Sequence, residues 1–282
     1  MKKRWTNLLL ILALLVGVGL LVYPTFADYW NSFHQSRAIA SYTQTVATID
    51  NERYDEMWQD AFAYNEQLRT RPNRFYLNEE ELALYNSLLD ATGLGIMGYI
   101  EIPCIGVSLP VYHTTSEAVL QVAVGHIEGS SLPVGGESTH SALSGHRGLP
   151  SATLFSNLDK VAIGDTFALK ILDQTLTYQV DRILIVEPYD LSGLEIIEGQ
   201  DLCTLITCTP YGINSHRLLV TGRRIETPEE EKVIRVVADA VQIEPLLVAP
   251  VVAAPVLLLL LIVLLITTGG RKKKRNERTG EQ

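Results

Sequence analysis

Two charge-free apolar segments, one near each end of the chain, constrain its fold more than any other feature. The first runs from Leu8 to Val22 and the second from Pro245 to Thr267. A membrane-spanning helix needs about 20 apolar residues. The second segment is long enough, and the first becomes so when it is counted from Trp5 to Phe26. The sequence therefore predicts two membrane spans, with a cleaved signal peptide as the alternative for the first.

Basic residues beside these segments predict their orientation. Lys2, Lys3 and Arg4 precede the first segment, and a basic run from Arg271 to Arg275 follows the second. Because positively charged flanks stay in the cytoplasm, we expect both termini to be cytoplasmic and the middle of the chain to be extracellular. The net charge of −9 disfavours nucleic acid as a partner, because phosphate binding needs a cationic surface.

Hydrophobic periodicity divides the extracellular part into helices followed by strands. Asp28 to Leu68 contains no Gly or Pro and repeats apolar residues at helical spacing, which predicts two helices. From Gly98, short apolar or alternating runs end in turn residues, and seven or eight such strands are typical of a closed all-β barrel. The predicted organisation is a cytoplasmic N-terminus (1–7), a membrane anchor or uncleaved signal (8–26), a helical extension (28–97), a β-barrel domain (98–226), an acidic linker helix (227–244), a second membrane helix (245–268) and a basic cytoplasmic tail (269–282).

The cysteine usage favours a nucleophile over a disulfide framework. An odd count of three, Cys104, Cys203 and Cys208, leaves at least one free thiol. Cys203 and Cys208 fall on opposite faces of one predicted strand, so a disulfide between them is disfavoured. Cys104 and Cys203 are interpreted as small buried hydrophobic residues. So few cysteines in an exported chain suit a Gram-positive cell surface.

Cys208 is the candidate nucleophile because it ends its strand just before a proline, and the next predicted strand begins at Arg217. If the two strands pair antiparallel, a thiol and a guanidinium meet at one rim of the barrel. Such a thiol loses its proton readily, and the guanidinium can stabilise an oxyanion. A free cysteine with an incidental arginine nearby is the alternative interpretation.

A cysteine nucleophile also needs a proton donor and acceptor, and histidine is the usual one. Of the six histidines, His146 is the best placed, at a strand end between Gly145 and Gly148. No pair of histidines or cysteines has the spacing of a metal site, so neither a metal nor another cofactor is predicted.

The residues around Cys208 and His146 resemble those of a known family. Thr204 to Cys208 reads TLITC and continues to Arg217, which closely resembles the sortase active-site signature TLxTC…R. Gly145 to Pro150 reads GHRGLP and resembles the segment that carries the sortase histidine. The order of histidine, cysteine and arginine is also the same. The helical extension and the C-terminal span make the chain similar to class C sortases, the pilin polymerases.

The resemblance implies an eight-stranded sortase-type β-barrel and a cysteine transpeptidase. Cys208 would attack the Thr–Gly bond of an LPXTG-type sorting signal and form a thioester. His146 would protonate the leaving amine and deprotonate the incoming one, Arg217 would hold substrate and oxyanion, and Thr207 is a candidate for substrate binding. The implied partners are the lipid bilayer and pilins or surface proteins that carry the signal, with a pilin lysine as acceptor. The oligomeric state is left open.

One segment departs from the class C pattern. These enzymes often carry an Asp-Pro-aromatic lid before the barrel, whereas residues 71–78 read RPNRFYLN. Phe75 and Tyr76 are the lid candidates, and an ordinary connecting loop is the alternative.

Three other functions compete with the pilin polymerase. A sortase that anchors surface proteins to cell-wall peptide would use the same catalytic residues. A membrane-tethered scaffold module would use none of them. A papain-like protease is disfavoured, because in that fold the cysteine precedes the histidine.

Overall fold

Three helices precede the barrel in the computed structural model, which describes residues 2–228. They are α1 (Lys2–Val46), α2 (Asn51–Arg69) and α3 (Glu79–Ser87). Over Leu12–Val46, α1 is long and apolar enough to cross a membrane, as a membrane anchor or a signal sequence would be. α1 continues as one helix across residue 27, where the sequence predicts the boundary between the membrane anchor (8–26) and the helical extension (28–97). The rest of the predicted linker helix, the second span and the basic tail lie outside the described residues.

The helical extension is fixed at its helix ends and packed on the barrel. The Asp50 side chain accepts a hydrogen bond from Arg53 N at the start of α2, and Asn78 and Glu81 form a capping box on α3. Behind these caps, Leu68 and Tyr85 are buried in the same apolar cluster as the barrel interior. The extension is therefore part of one hydrophobic core with the barrel.

Eight strands close into a mixed barrel, which confirms the predicted fold class for the described residues. In chain order they are β1 (Ile96–Ile102), β2 (Val107–His113), β3 (Val124–His126), β4 (Thr139–Ser144), β5 (Thr166–Ile171), β6 (Gln174–Val186), β7 (Asp201–Thr209) and β8 (His216–Arg224). Around the barrel the order is β1-β2-β3-β4-β7-β8-β6-β5. β2 pairs with β3 and β4 with β7 in parallel, and the other neighbours are antiparallel.

Alternation along β7 separates the core from the outer face of the barrel. Cys203 and Leu205 belong to the main core, whereas Ile206 belongs to a second, smaller cluster. We call this second set, Ala142, Leu194, Ile206 and Leu219, the outer apolar cluster. Cys208 follows Ile206 by two residues, so it shares the outer face with that cluster.

The sequence pattern also predicts two short helices in the barrel region, from Ser116 to Val124 and from Ser151 to Leu158, and both are largely replaced by other structure. Ser116 to Val124 contains only α4 (Glu117–Leu120) before β3 begins. Ser151 to Leu158 forms turns and leads into a 3₁₀ helix at Leu158–Lys160. Leu154 has a φ of 37° there, and an L-residue with positive φ ends an α-helix. The sequence pattern also predicts a hairpin from Thr166 to Val186, and the antiparallel pairing of β5 with β6 confirms it.

Candidate active site

Cys208 and Arg217 are direct partners in the ladder between β7 and β8. The predicted antiparallel pairing is therefore confirmed, and both residues lie at the same rim of the barrel. Cys208 is a free, partly buried thiol. Pro210 follows it closely and accepts backbone hydrogen bonds from Ile213 and Asn214, which turns the chain towards β8.

His146 reaches the same rim from the other side of β7. The parallel ladder between β4 and β7 ends where Ser144 pairs with Ile206, and Gly145 N still donates to Ile206 O at 3.0 Å. Continuing this register by two residues aligns His146 with Cys208. Cys208 on β7, Arg217 on β8 and His146, two residues beyond the end of β4, thus lie along one rim, and we call these three residues the rim row.

The imidazole of His146 is partly exposed and faces a carboxylate that the sequence does not single out. Its Nε2 lies 3.9 Å from Glu117 Oε2, at the first residue of α4. The backbone carbonyl of His146 accepts a hydrogen bond from Phe155 N at 3.1 Å. Only the folded structure brings these two residues together, because 29 residues of sequence separate them.

The guanidinium of Arg217 is oriented by backbone carbonyls. Its Nη1 lies 3.1 Å from His216 O and 3.3 Å from Asn214 O. Within residues 2–228 no carboxylate forms an ion pair with it. The preceding residue, His216, contacts Glu187, with 3.3 Å between His216 Nε2 and Glu187 Oε1. The charge of Arg217 is therefore free to bind an anionic or polar group at the rim.

Thr207 lies beneath the site instead of on its surface. Its side chain is buried, and its hydroxyl donates to Gly145 O at 2.7 Å. This bond ties β7 to the residue that precedes His146. The structure therefore gives Thr207 a contact that supports the histidine, while its role in binding substrate stays a prediction.

A second row of polar residues, which we call the buried row, crosses the same three strands farther from the rim. His140 Nε2 lies 2.7 Å from Thr204 Oγ1, which lies 2.8 Å from Thr221 Oγ1. The other nitrogen, Nδ1, lies 2.7 Å from Glu195 O. Burial lowers the pKa of His140 to about 4, so the imidazole is neutral near pH 7 and donates to the Glu195 carbonyl.

The two lid candidates, Phe75 and Tyr76, differ in burial: Phe75 is packed on the barrel and Tyr76 is exposed. Phe75 packs on the outer apolar cluster, and the Arg74 guanidinium lies 4.4 Å from the centre of its ring. Arg74 also donates to Gly129 O at 2.9 Å and to Leu194 O. Tyr76 is 80% exposed and covers nothing. Of the two candidates, only Phe75 lies on the face that carries Cys208.

Cys203 and Cys104 differ in burial, and His126 is part of the core. Cys203 is buried in the core as predicted, but Cys104 is exposed, so its interpretation as a buried residue is wrong. His126 is fully buried between Tyr85 and Ser131, and burial lowers its pKa to about 3. Within residues 2–228, no cluster of three or more His, Cys, Asp or Glu side chains is placed to hold a metal ion.

A cavity of about 340 Å³ adjoins the rim behind β7 and β8. Thr209 and Leu218, which flank Cys208 and Arg217 in sequence, line it. Tyr211 also lines it, together with Arg147 and Asp159, which form an ion pair. Since side chains alternate along a strand, this opening lies on the face opposite Cys208.

The chain is similar to one family model and to several solved structures. The family model described as "Sortase domain" matches residues 100–225. Sortase C1 of Streptococcus agalactiae is 52% identical, with a TM-score of 0.67 over 68% of this chain and all of that one. Sortase C of Streptococcus pneumoniae, whose structure was analysed for catalysis and pilin substrate specificity, is 45% identical, with a TM-score of 0.60 over 68% of this chain and 97% of that one.

A third similar structure contains a peptide motif. Sortase C of Clostridium perfringens, solved with the C-terminal cell wall sorting motif, is 40% identical, with a TM-score of 0.59 over 68% of this chain and all of that one. These identities extend over the complete chains of two of the three neighbours and nearly all of the third.

Proposed function

This chain belongs to the sortase family of cysteine transpeptidases, among the class C enzymes, and we propose that it assembles pili. In this function it cleaves an LPXTG-type sorting signal between Thr and Gly and transfers the acyl group to a pilin lysine. The observation that carries the proposal is the register of β4, β7 and β8, which pairs Cys208 with Arg217 and ends β4 two residues before His146 at the same rim.

The rim row supplies each group that the two acyl transfers need. The Cys208 thiolate attacks the Thr carbonyl carbon, and the Arg217 guanidinium stabilises the resulting oxyanion. The C–N bond to Gly then breaks, His146 protonates the departing amine, and a thioester remains on Cys208. A lysine amine attacks the thioester, gives its proton to His146, and releases the Cys208 thiolate as the new amide forms.

The outer apolar cluster is placed to bind the apolar part of the signal. A strand rises about 3.3 Å per residue, so Ile206 lies about 7 Å before Cys208 on the same face. In an extended LPXTG peptide, Leu and Pro precede the Thr carbonyl by a comparable distance. The Clostridium perfringens enzyme was solved with a sorting motif, which supports a peptide of this class as the substrate.

We propose that Phe75 acts as a lid over this cluster. Its ring packs where the apolar residues of the signal would bind, and Arg74 holds it there through the carbonyls of Gly129 and Leu194. Substrate would then have to displace Phe75. Tyr76 does not share this role, because its side chain points into solvent.

The proposed location is the cell membrane of a Gram-positive bacterium. The apolar helix α1 serves as the first anchor, and the segment from Pro245 to Thr267, which lies outside the described residues, serves as the second. In this topology both termini are cytoplasmic and the barrel is extracellular.

A direct test uses the full-length enzyme with pilin subunits that carry the signal. An SDS-resistant ladder of subunits, absent with the Cys208→Ala variant, is the expected result. Subunits attached only to added cell-wall peptide would instead support the anchoring sortase. Binding without any thioester or product would support the scaffold module and contradict both enzymes.

A further inference from the structure

The helix α1 binds the barrel through one polar face just beyond its apolar segment. Asp28 Oδ1 accepts hydrogen bonds from Thr153 N at 2.6 Å and Thr153 Oγ1 at 2.9 Å. Asn31 Nδ2 donates to Ser151 O at 2.8 Å. One turn farther on, Gln35 Nε2 donates to Val122 O at 2.7 Å. Because spacings of three, four and seven residues recur on one side of a helix, these contacts form a single docked face.

The loop held by this docked face begins at the catalytic histidine. Phe155 N donates to His146 O at 3.1 Å, which closes the loop between them. Two residues span at most about 7 Å, so the backbone of Thr153 lies within about 10 Å of the His146 carbonyl. The anchor helix therefore binds a loop whose two ends, His146 and Phe155, are joined by a hydrogen bond.

The other side of the same stretch of helix carries exposed aromatic rings. We define the aromatic stripe as Tyr23, Phe26, Trp30 and Phe33, whose side chains are between 47% and 58% exposed. At about 100° per residue these four project on one side of α1, opposite Asp28. Phe26 and Trp30 stack with 6.3 Å between ring centres.

The aromatic stripe is continuous with the membrane segment. No charged residue occurs between Arg4 and Asp28, so the stripe extends the apolar surface beyond Asp28 on one side of the helix only. Trp and Tyr prefer the boundary between lipid and water, and a helix with one apolar and one polar face can lie in that boundary. This continuity identifies the bilayer as the occupant of the exposed face.

We propose that residues 23–33 of α1 leave the bilayer through the lipid–water interface with the aromatic stripe towards lipid, and so hold the His146 loop beside the membrane. Asp28 lies only about 8 Å along the helix axis from Tyr23, so the loop that it binds is held close to the membrane surface. The site would then act best on a sorting signal tethered to the same membrane. This inference rests on the proposed anchoring and transpeptidase function.

The position of Trp30 is measured by fluorescence quenching of the full-length chain in nanodiscs of phosphatidylcholine and phosphatidylglycerol. The Trp5→Phe variant retains Trp30 and Trp58, and the Trp5→Phe/Trp30→Phe variant retains only Trp58, so their difference reports Trp30. We expect spin labels near the lipid headgroup to quench Trp30 more strongly than labels at the acyl chain end. Absence of quenching would overturn the proposal, as would protection of Trp30 only in nanodiscs that hold two copies.

A second measurement compares a soluble signal peptide with the same peptide tethered to nanodisc lipid. In the Trp30→Ser/Phe33→Ser variant we expect unchanged cleavage of the soluble peptide and about tenfold slower cleavage of the tethered one, because the shared surface raises effective concentration. Equal loss on both peptides would overturn the proposal and assign the stripe to folding. If the unmodified chain cleaves neither peptide, the proposed function fails, whatever the quenching result.

Discussion

The rim row and the buried row belong to the same three strands and the residue stretch just beyond β4, yet their histidines have opposite surroundings. In the buried row, His140 is hydrogen-bonded at both ring nitrogens, and burial lowers its pKa to about 4. In the rim row, His146 is partly exposed and lies beyond the end of β4. Two histidines that belong to β4 and its extension thus differ sharply in burial, and this difference favours His146 over His140 as the proposed proton carrier. The outer apolar cluster lies between the two rows.

The largest effect is expected from Cys208→Ala in the rim row. The thioester cannot form without the sulfur, so product formation should fall to background. The exposed Cys104→Ala variant is the matched control and should retain full activity. Mass spectrometry of the trapped enzyme would detect the intermediate, and an acyl adduct on Cys104 or Cys203 would refute the assignment of the nucleophile.

Arg217→Ala should reduce kcat by about 100- to 1,000-fold, because a group that stabilises the oxyanion is lost. Arg217→Lys should recover part of this loss, since the positive charge remains but its planar geometry does not. Arg223, also on β8, pairs with Asp181, and Arg223→Ala should leave kcat unchanged. Steady-state kinetics would measure these values, and a change confined to KM would assign Arg217 to binding alone.

The buried row should make the fold sensitive to acid. The folded-state pKa of His140, about 4, lies below its ordinary value of 6.5, so the unfolded chain takes up a proton first as the pH falls. His140 should therefore stabilise the fold fully above pH 6.5 and lose about 3 kcal/mol of that stability down to pH 4.

Urea unfolding between pH 7 and pH 4 would measure this loss. The His140→Gln variant has no titrating group at this position and should lose less stability over the same range. Identical pH dependence in the two proteins would contradict the prediction.

Thr207→Val tests the hydrogen bond that joins β7, which carries Cys208, to Gly145, the residue before His146. Removing the hydroxyl leaves Gly145 O without its buried donor, a loss of about 1–3 kcal/mol. Because that carbonyl precedes His146, we expect kcat to fall about tenfold, with a shifted pH profile. Thr207→Ser keeps the hydroxyl and serves as the control. A rise in KM at constant kcat would instead favour a role of Thr207 in substrate binding.

The smallest effect is expected from Phe75→Ala, which uncovers the outer apolar cluster. We expect alkylation of Cys208 to accelerate a few-fold, and KM for a signal peptide to fall slightly, because substrate no longer displaces the ring. Tyr76→Ala is the matched control, since its side chain is exposed, and should change neither value. Slower alkylation in Phe75→Ala would contradict the lid proposal.

The sequence predicts the pairing of Cys208 with Arg217 better than the position of His146. Cys208 and Arg217 lie on consecutive strands, and short spacing between two apolar runs predicts their antiparallel pairing. His146 reaches Cys208 through the parallel pairing of β4 with β7, two strands separated by the β5–β6 hairpin. No local pattern encodes that pairing, so the sequence singles out His146 only by its place at a strand end between two glycines and by the family resemblance.

Long-range polar contacts escaped prediction for the same reason. Glu117 faces His146, and Asp28 bonds Thr153 across 125 residues of sequence. Neither carboxylate belongs to a recognisable motif. The predicted helix after Ser151 failed because Leu154 adopts a positive φ within the docked loop, and tertiary contacts override helix propensity.

The parallel pairing of β4 with β7 has a consequence for how this architecture can diversify. Both strands run towards the same rim, so His146 and Cys208, the proposed proton carrier and nucleophile, emerge together although β5 and β6 lie between them in the chain. The stretch between Val186 and Asp201 joins β6 to β7 outside the barrel wall. Insertions in such a surface connection are well tolerated. Peptide preference can therefore evolve there while the reacting atoms keep their spacing.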